Sequence, residues 1–268
     1  MRTVEKKIII ASFLGVGIEV MLMELAAITD TGRQRKNNED CYFTYNNDRL
    51  VGGMVADGMG GHNSGEVASK MACDLIKQYI ITNYNPQMDY MQMAELMRMA
   101  FVKTNREIYN ASQKGVNKGM GTTATLALVY DSHLLIAHVG DSRCYRIDSE
   151  ITQLTNDHSY VGALLRNGQI SEHEAESHPN RNLITRALGA EDNIKVDMDI
   201  KRFGNETILV CSDGLSNMLS ESQIKDIICE KISLNAALQK LAELANRKGG
   251  SDNITAVAFR KLKGEAEK

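Results

Sequence analysis

Tryptophan is absent from the 268 residues, and only two prolines and five cysteines occur. So few prolines, with no low-complexity tract, exclude collagen-like, mucin-like and Pro-rich linker chains. Cys41, Cys73, Cys144, Cys211 and Cys229 are odd in number, scattered and without a C-x-x-C pair. A zinc site or disulfide framework is a poor fit to that pattern, a reducing compartment is a good one, and the five read as small buried hydrophobes. There is no excess of positive charge: 31 Lys+Arg stand against 34 Asp+Glu, a net charge of −3, which argues against nucleic-acid binding through bulk charge. No repeat at a solenoid period is found. What remains, 43% hydrophobic and 24% charged residues, is a folding composition long enough for one large or two small domains.

Several signatures of phosphate chemistry are also missing. The residue six positions after each Cys is Asn47, Tyr79, Glu150, Asn217 or Asn235, so no C-x5-R exists and a cysteine-based phosphatase is excluded. There is no G-x-x-x-x-G-K-[ST] phosphate loop, no H-R-D or D-F-G kinase set and no H-E-x-x-H. Asp197-Met198-Asp199 has the D-x-D form of aspartyl-phosphate enzymes, a pattern common by chance.

No apolar run reaches the ~20 residues of a membrane span. The longest candidate, Ile8 to Ile18, follows Arg2, Lys6 and Lys7, is interrupted by Glu19 and resumes from Val20 to Met23. Its outline is that of a secretory signal without a convincing cleavage site. Two further readings compete: a membrane or partner anchor over 8–23, or an upstream start, with Met21 or Met23 the first residue. The upstream start, or an extension of minor function, suits the chemistry downstream better. Residues 1–23 are thus set apart as an extension, 24–262 as one continuous domain, and 263–268 as a polar tail.

Within that domain the hydrophobic pattern predicts strands at Leu25–Thr29, Asp40–Thr44, Val51–Ala56, Thr122–Tyr130, His133–Val139, Arg143–Ile147 and Ile151–Leu154. Further strands are predicted at Val196–Phe203, Thr207–Cys211 and Ile254–Phe259. Helical spacing predicts helices from Ser64, over Tyr90–Ser112, over Glu221–Glu230 and over Leu234–Lys248. The methionines of the second helix are read as core filling. The polar stretch His158–Leu188 reads as loops and short helices. Strands and helices come in blocks, which points to an α+β fold with a mostly antiparallel sheet core and helices outside.

One local pattern recurs: an apolar strand ends, and an Asp appears beside Gly or Asn. Asp57-Gly58, Asp141 after Gly140, Asp213-Gly214 and Asp252-Asn253 all have this form, and Glu39-Asp40 opens a strand after Asn37-Asn38. A lone Asp-Gly is usually a turn. Four such strand ends can converge at one sheet edge, where carboxylates without His or Cys form the ligand set of Mg²⁺ or Mn²⁺. Without a cation, like charges gathered there would repel.

These residues carry a resemblance to the metal-dependent Ser/Thr protein phosphatases of type 2C (the PPM family), in their compact bacterial form. Matching segments run in family order: Thr29 to Asp40, Ala56-Asp57-Gly58-Met59-Gly60-Gly61-His62, Gly121-Thr122-Thr123-Ala124 and Val139-Gly140-Asp141-Ser142-Arg143. Asp157-His158-Ser159, Ile184 to Gly189, Cys211-Ser212-Asp213-Gly214-Leu215 and Ser251-Asp252-Asn253-Ile254-Thr255 complete the series. The resemblance implies a central antiparallel β-sandwich flanked by helices on both faces, a two-metal site at one end and a flap over about 158–188.

It implies roles as well. Asp57 would bridge two ions, Mn²⁺ or Mg²⁺, and the Gly58 carbonyl would bind one of them. Asp213 and Asp252 would complete the first ion's shell, and Glu39 and Asp40 would act through water. Asp141, sharing Asp213, would bind a third ion found in bacterial relatives. Arg35 would grip the substrate phosphate, as a guanidinium can with two oxygens at once. A metal-bridging hydroxide would then attack phosphoserine or phosphothreonine in line. The implied setting is a cytoplasmic monomer acting on phosphorylated proteins, among them a bacterial Ser/Thr kinase and its substrates, with no nucleic acid and with membrane contact only if 8–23 act as an anchor.

Met59 stands where many eukaryotic relatives have a His proposed as general acid, and that role is not transferred to His62. His62, His133, His138, His158, His173 and His178 are all read as structural. Arg33 and Lys36 either add positive potential for phosphopeptides or are solvated loop charges. Two alternatives stay open. A pseudo-phosphatase that binds without turnover usually loses a metal Asp, whereas Asp57, Asp213, Asp252 and Arg35 are all present here. A partner-switching phosphatase usually carries extra sensory domains.

Overall fold

The structure is a computed structural model and describes residues 2–14, 17–47, 49–60 and 64–262. Chain order gives β1 (Arg2–Leu14), β2 (Gly17–Asp30), β3 (Asp40–Asn46), β4 (Val51–Met59), α1 (Ser64–Asn83) and α2 (Tyr90–Ser112). Next come β5 (Gly121–Thr122), β6 (Ala124–Tyr130), β7 (His133–Val139), β8 (Arg143–Ile147) and β9 (Ile151–Gln153). After α3 (Tyr160–Arg166) and α4 (Glu172–Ser177) follow β10 (Asp197–Arg202), β11 (Thr207–Cys211), α5 (Asp213–Ser216), α6 (Glu221–Ile228), α7 (Leu234–Arg247) and β12 (Ile254–Lys261).

Side-chain alternation dictates the layers. On β11, Ile208 and Val210 enter one core while Leu209 and Cys211 enter another. On β2, Leu25 and Ala27 likewise turn away from Ala26 and Ile28. Strands apolar on both faces must be covered on both. The result is a four-layer sandwich. One sheet runs β1-β2-β12-β11-β8-β9, the other β10-β7-β6-β4-β3, and the strands of both pair antiparallel among the described residues. Val51, Val55, Ile136, Val257 and Phe259 fill the space between the sheets. Helices α1 and α2 cover the outer face of one sheet through Ile76, Met93, Met97 and Phe101, while α5, α6 and α7 cover the other through Leu215, Ile224, Leu238 and Leu241.

Local signals explain the element ends. Asp89 caps α2 by accepting the Gln92 N–H, and the Gln92 side chain returns the bond, so the helix begins where the sequence predicts. Asp131 and Ser132 take φ of 50° and 58° and turn β6 into β7. Positive φ at both central residues is the hairpin turn that matches strand twist. Ser233 caps α7, and the buried Glu24 carboxylate accepts the Leu234 N–H at 2.7 Å and Arg260 Nε at 2.8 Å. That one side chain ties α7 to β2 and β12.

The expected α+β sandwich with helices on both faces is the fold found. Two regions add to the sequence reading. β2 begins at Gly17, well before Leu25, and pairs with β1 from Arg2↔Thr29 to Leu14↔Gly17. Among the described residues no helix is long and apolar enough to cross a membrane. Segment 158–188 holds α3 and α4 between two anchored ends: Ser159 bridges Ile184, and Leu188 bridges Thr122. His62 and the predicted tail over 263–268 lie outside the described residues.

Candidate active site

The sandwich brings the recurrent Asp residues to one end. Asp40 opens β3 directly opposite Asp57 near the end of β4. The register is fixed from both sides: Gly58 N–H donates to the Glu39 carbonyl at 3.1 Å, and Asp57 N–H donates to Thr123 Oγ1 at 2.9 Å. Thr123 N–H and the Thr122 hydroxyl both donate to the Asp57 carbonyl, at 2.8 and 2.9 Å. Gly58 lies so close to α1 that a Cβ there would meet the Gly65 carbonyl oxygen at 2.0 Å. Only glycine fits there, because the main chain of β4 packs directly on that of α1.

The second sheet supplies the other carboxylates. Ser212 closes β11, and its hydroxyl donates to Asp40 Oδ2 at 2.8 Å, joining the two sheets beneath Asp213. Asp213 begins α5, with Oδ2 taking Asn217 Nδ2 at 3.0 Å. Asp252 precedes β12 and accepts Arg35 Nη2 at 2.7 Å. The adjoining Asn253 is a buried clasp. Its Oδ1 accepts the Glu39 N–H at 2.8 Å, and its Nδ2 donates to the carbonyls of Thr31 and Asn37 at 2.8 and 3.0 Å. Arg35, half exposed, reaches over this end of the sandwich.

Asp141 sits in the turn after β7. Ser142 Oγ lies 2.7 Å from Thr123 Oγ1, the hydroxyl that receives Asp57 N–H, so one threonine holds both acidic turns. Arg143 then makes a bidentate contact with Asp157 through Nε and Nη2.

These carboxylates feel one another. Asp57 is held well above the usual carboxylate range by burial first, then by the charges of Asp40, Asp213, Asp141 and Asp252. Asp40, Asp141 and Asp213 are raised by burial and by neighbouring carboxylates in the same way. Glu39 is raised by burial, with Arg35 opposing. One oxygen each of Asp40, Asp141 and Asp213 is buried with no hydrogen-bond partner. Buried, unpartnered, mutually repelling oxygens suit a hard divalent cation, and a backbone carbonyl such as that of Gly58 is an oxygen donor of the same kind. Among the described residues no three Asp, Glu, His or Cys side chains form a chelating group as they stand; the acids share electrostatic reach rather than one coordination sphere.

All eight predicted site residues thus fall on the same end: Arg35, Glu39, Asp40, Asp57, Gly58, Asp141, Asp213 and Asp252. Sequence reasoning missed the groups that hold them. Thr123, Ser142, Ser212 and Asn253 each lie next to an acid or share its motif, and hydroxyl or amide neighbours of acidic turns were the available signal. His138 and His158 are buried, with ring centroids 4.6 Å apart. Burial, then the neighbouring His158, lowers the His138 pKa to about 4, and its ring contacts Thr125 Oγ1 and the Asn156 carbonyl.

The family model for protein phosphatase 2C matches residues 31–256. The chain is 40% identical over 234 residues to the serine/threonine phosphatase stp of Listeria monocytogenes, covering 85% of this chain and 91% of that one. The solved structure of Stp1 from Staphylococcus aureus is similar with a TM-score of 0.83 at 34% identity, covering 95% of this chain and 97% of that one. The catalytic domain of the serine threonine protein phosphatase PstP, solved in complex with 2 manganese ions, gives a TM-score of 0.78 at 32% identity, over 90% and 99% of the two chains. A match this long, running through every acidic turn of the sandwich end, means that the chain belongs to the protein phosphatase 2C family.

Proposed function

We propose that the protein hydrolyses phosphoserine and phosphothreonine in phosphorylated proteins, with divalent cations held by Asp57, the Gly58 carbonyl, Asp213 and Asp252. It is a bacterial protein Ser/Thr phosphatase of the 2C type, a phosphoprotein phosphatase. The observation that carries the finer reading is the set of unpartnered carboxylate oxygens on Asp40, Asp141 and Asp213 beside a deeply perturbed Asp57. Glu39 and Asp40 would act through water, and Asp141 with Asp213 would take a third ion. The cations supply charge neutralisation and a nucleophile competent at neutral pH. The two manganese ions solved with PstP support Mn²⁺ as the first ion to test.

The chain's own groups do the rest. Arg35 stands half exposed at the rim, and its guanidinium can offer N–H groups to a phosphate in exchange for its contacts with Asp252 and the Ser251 carbonyl. It neutralises equatorial charge as the leaving oxygen departs, while Asp252 limits where it can point. Met59 offers no proton, so the departing alkoxide takes one from solvent held by the acidic residues. Five free thiols support a reducing setting such as the cytoplasm, and action as a monomer opposite a bacterial Ser/Thr kinase belongs to the same proposal.

Hydrolysis of a phosphothreonine peptide with Mn²⁺, with EDTA and with the Asp213→Asn variant tests the proposal. Turnover that needs Mn²⁺ and collapses in the variant is expected. No turnover by folded, Mn²⁺-loaded protein would overturn it in favour of a binding role.

A further inference from the structure

The sequence leaves His158 and Asp197 without a chemical role, and the fold joins them. His158 is buried, and both ring nitrogens are engaged. Gly140 N–H donates to Nδ1 at 3.0 Å, so Nδ1 is the lone-pair nitrogen and Nε2 carries the proton. That proton goes to Asp197 Oδ2 at 3.0 Å. Arg186 Nη1 lies 2.9 Å from Nε2, but it is also a donor and gives its proton to Asp197 Oδ1 at 2.8 Å. Asp197 therefore accepts from both and fixes the tautomer of the imidazole, a device familiar around metal ligands. Burial lowers the pKa of His158, with Asp197 opposing, which favours the neutral ring and its acceptor nitrogen.

The backbone closes the same contact. His158 N–H donates to the Gly140 carbonyl at 2.7 Å, and the His158 carbonyl takes Thr185 N–H at 2.7 Å from the far end of segment 158–188. Gly140 cannot retreat: its φ is +114°, and a Cβ there would lie 2.5 Å from Thr123 Cβ. The turn that carries Asp141 is clamped between His158 on one side and Thr123 on the other.

We propose that His158, oriented by Asp197 and Arg186, is a positioning residue for Asp141: through the Gly140 amide it sets the turn that aims the Asp141 carboxylate at its ion. The inference rests on the reading of Asp141 as a third-ion ligand. It assigns a function to Asp197, the first acid of the D-x-D pattern, and it links the third-ion turn to both ends of segment 158–188.

Mn²⁺ titration of the full chain, followed by the loss of free Mn²⁺ signal in electron paramagnetic resonance, tests it. The Asp141→Asn variant identifies the Asp141-dependent ion. His158→Leu is expected to weaken that ion by roughly 10-fold or more while the Asp57-dependent ions keep their affinity. His158→Asn, whose amide oxygen can accept the Gly140 N–H in place of Nδ1, is expected to restore most of the loss. Unchanged affinity in His158→Leu overturns the proposal, as does an equal loss at every ion without rescue by Asn, which would mark a merely structural residue. A wild type with no Asp141-dependent ion overturns the third-ion reading as well, and is told apart by the Asp141→Asn control. Folding of the variants is not the only safeguard. Imidazole ¹⁵N spectra of the wild type should show Nδ1 unprotonated and Nε2 protonated on His158, and the opposite tautomer overturns the proposal.

Discussion

Arg35 donates to Asp252 through a guanidinium that is half exposed, so its charge serves two masters, an acidic ligand candidate and an incoming phosphate. Lysine at this position keeps the charge but loses the planar fork. Arg35→Lys is expected to lower kcat/KM roughly 10- to 100-fold on a phosphothreonine peptide, the worth of one or so charge-assisted hydrogen bonds, with no change in melting temperature. Gly58 makes the opposite case, where space rather than charge decides. A methyl group there meets the Gly65 carbonyl oxygen at 2.0 Å and the Glu39 carbonyl oxygen at 2.8 Å. Gly58→Ala must push β4 and α1 apart, and overpacking of this kind costs about 1–3 kcal/mol. Thermal unfolding should show that loss, and Mn²⁺ affinity should fall with it, since Asp57 is the adjoining residue.

At the scale of elements, Glu24 is the joint between α7 and the sheet. It is buried, and its two oxygens are spent on the Leu234 N–H and on Arg260. Glu24→Ala strands the Arg260 charge and uncaps α7, and breaking such a pair costs about 3 kcal/mol. Denaturant unfolding should register that loss while kcat stays at the wild-type value, because the joint lies away from the acidic end. Elements of this kind also mark what the chain discloses in advance. The α2 bounds, Tyr90–Ser112, and the strand Thr207–Cys211 are legible because a capping box and a short apolar run are local signals. The acidic turns are legible too, since each is an Asp at the end of an apolar strand. The order β2-β12-β11 is not, because pairing partners more than two hundred residues apart leave no periodicity. The reach of β2 back to Gly17 was hidden by reading its first half as a separate extension. His158 is legible as part of a matching segment, but its bond to Gly140 is not, because the partner is 18 positions away and leaves no local pattern.

For the molecule as a whole, the clustered acids set a pH dependence. Asp40 and Asp141 are pushed up to about 7 and Asp213 to about 6, by burial and mutual repulsion. A carboxyl whose pKa rises on folding binds protons more readily in the folded state, so the stability it contributes is present at low pH and is lost as pH rises through the folded value. The metal-free protein should therefore melt at a lower temperature at pH 8 than at pH 5.5, and added Mn²⁺ should raise the melting temperature more at pH 8, where the acids are ionised and free to bind it. Scanning calorimetry across that range with and without EDTA checks both signs. The same sandwich also fixes when the site can exist. β12, which follows Asp252, is laid between β2 and β11 at the centre of its sheet. During synthesis, Asp57 and Asp141 emerge long before the strand that closes their sheet partner. A chain still held on the ribosome at residue 211 has most of its acids and no complete site, so phosphatase activity is withheld until translation has passed β12, and non-local pairing of this kind is slow to form.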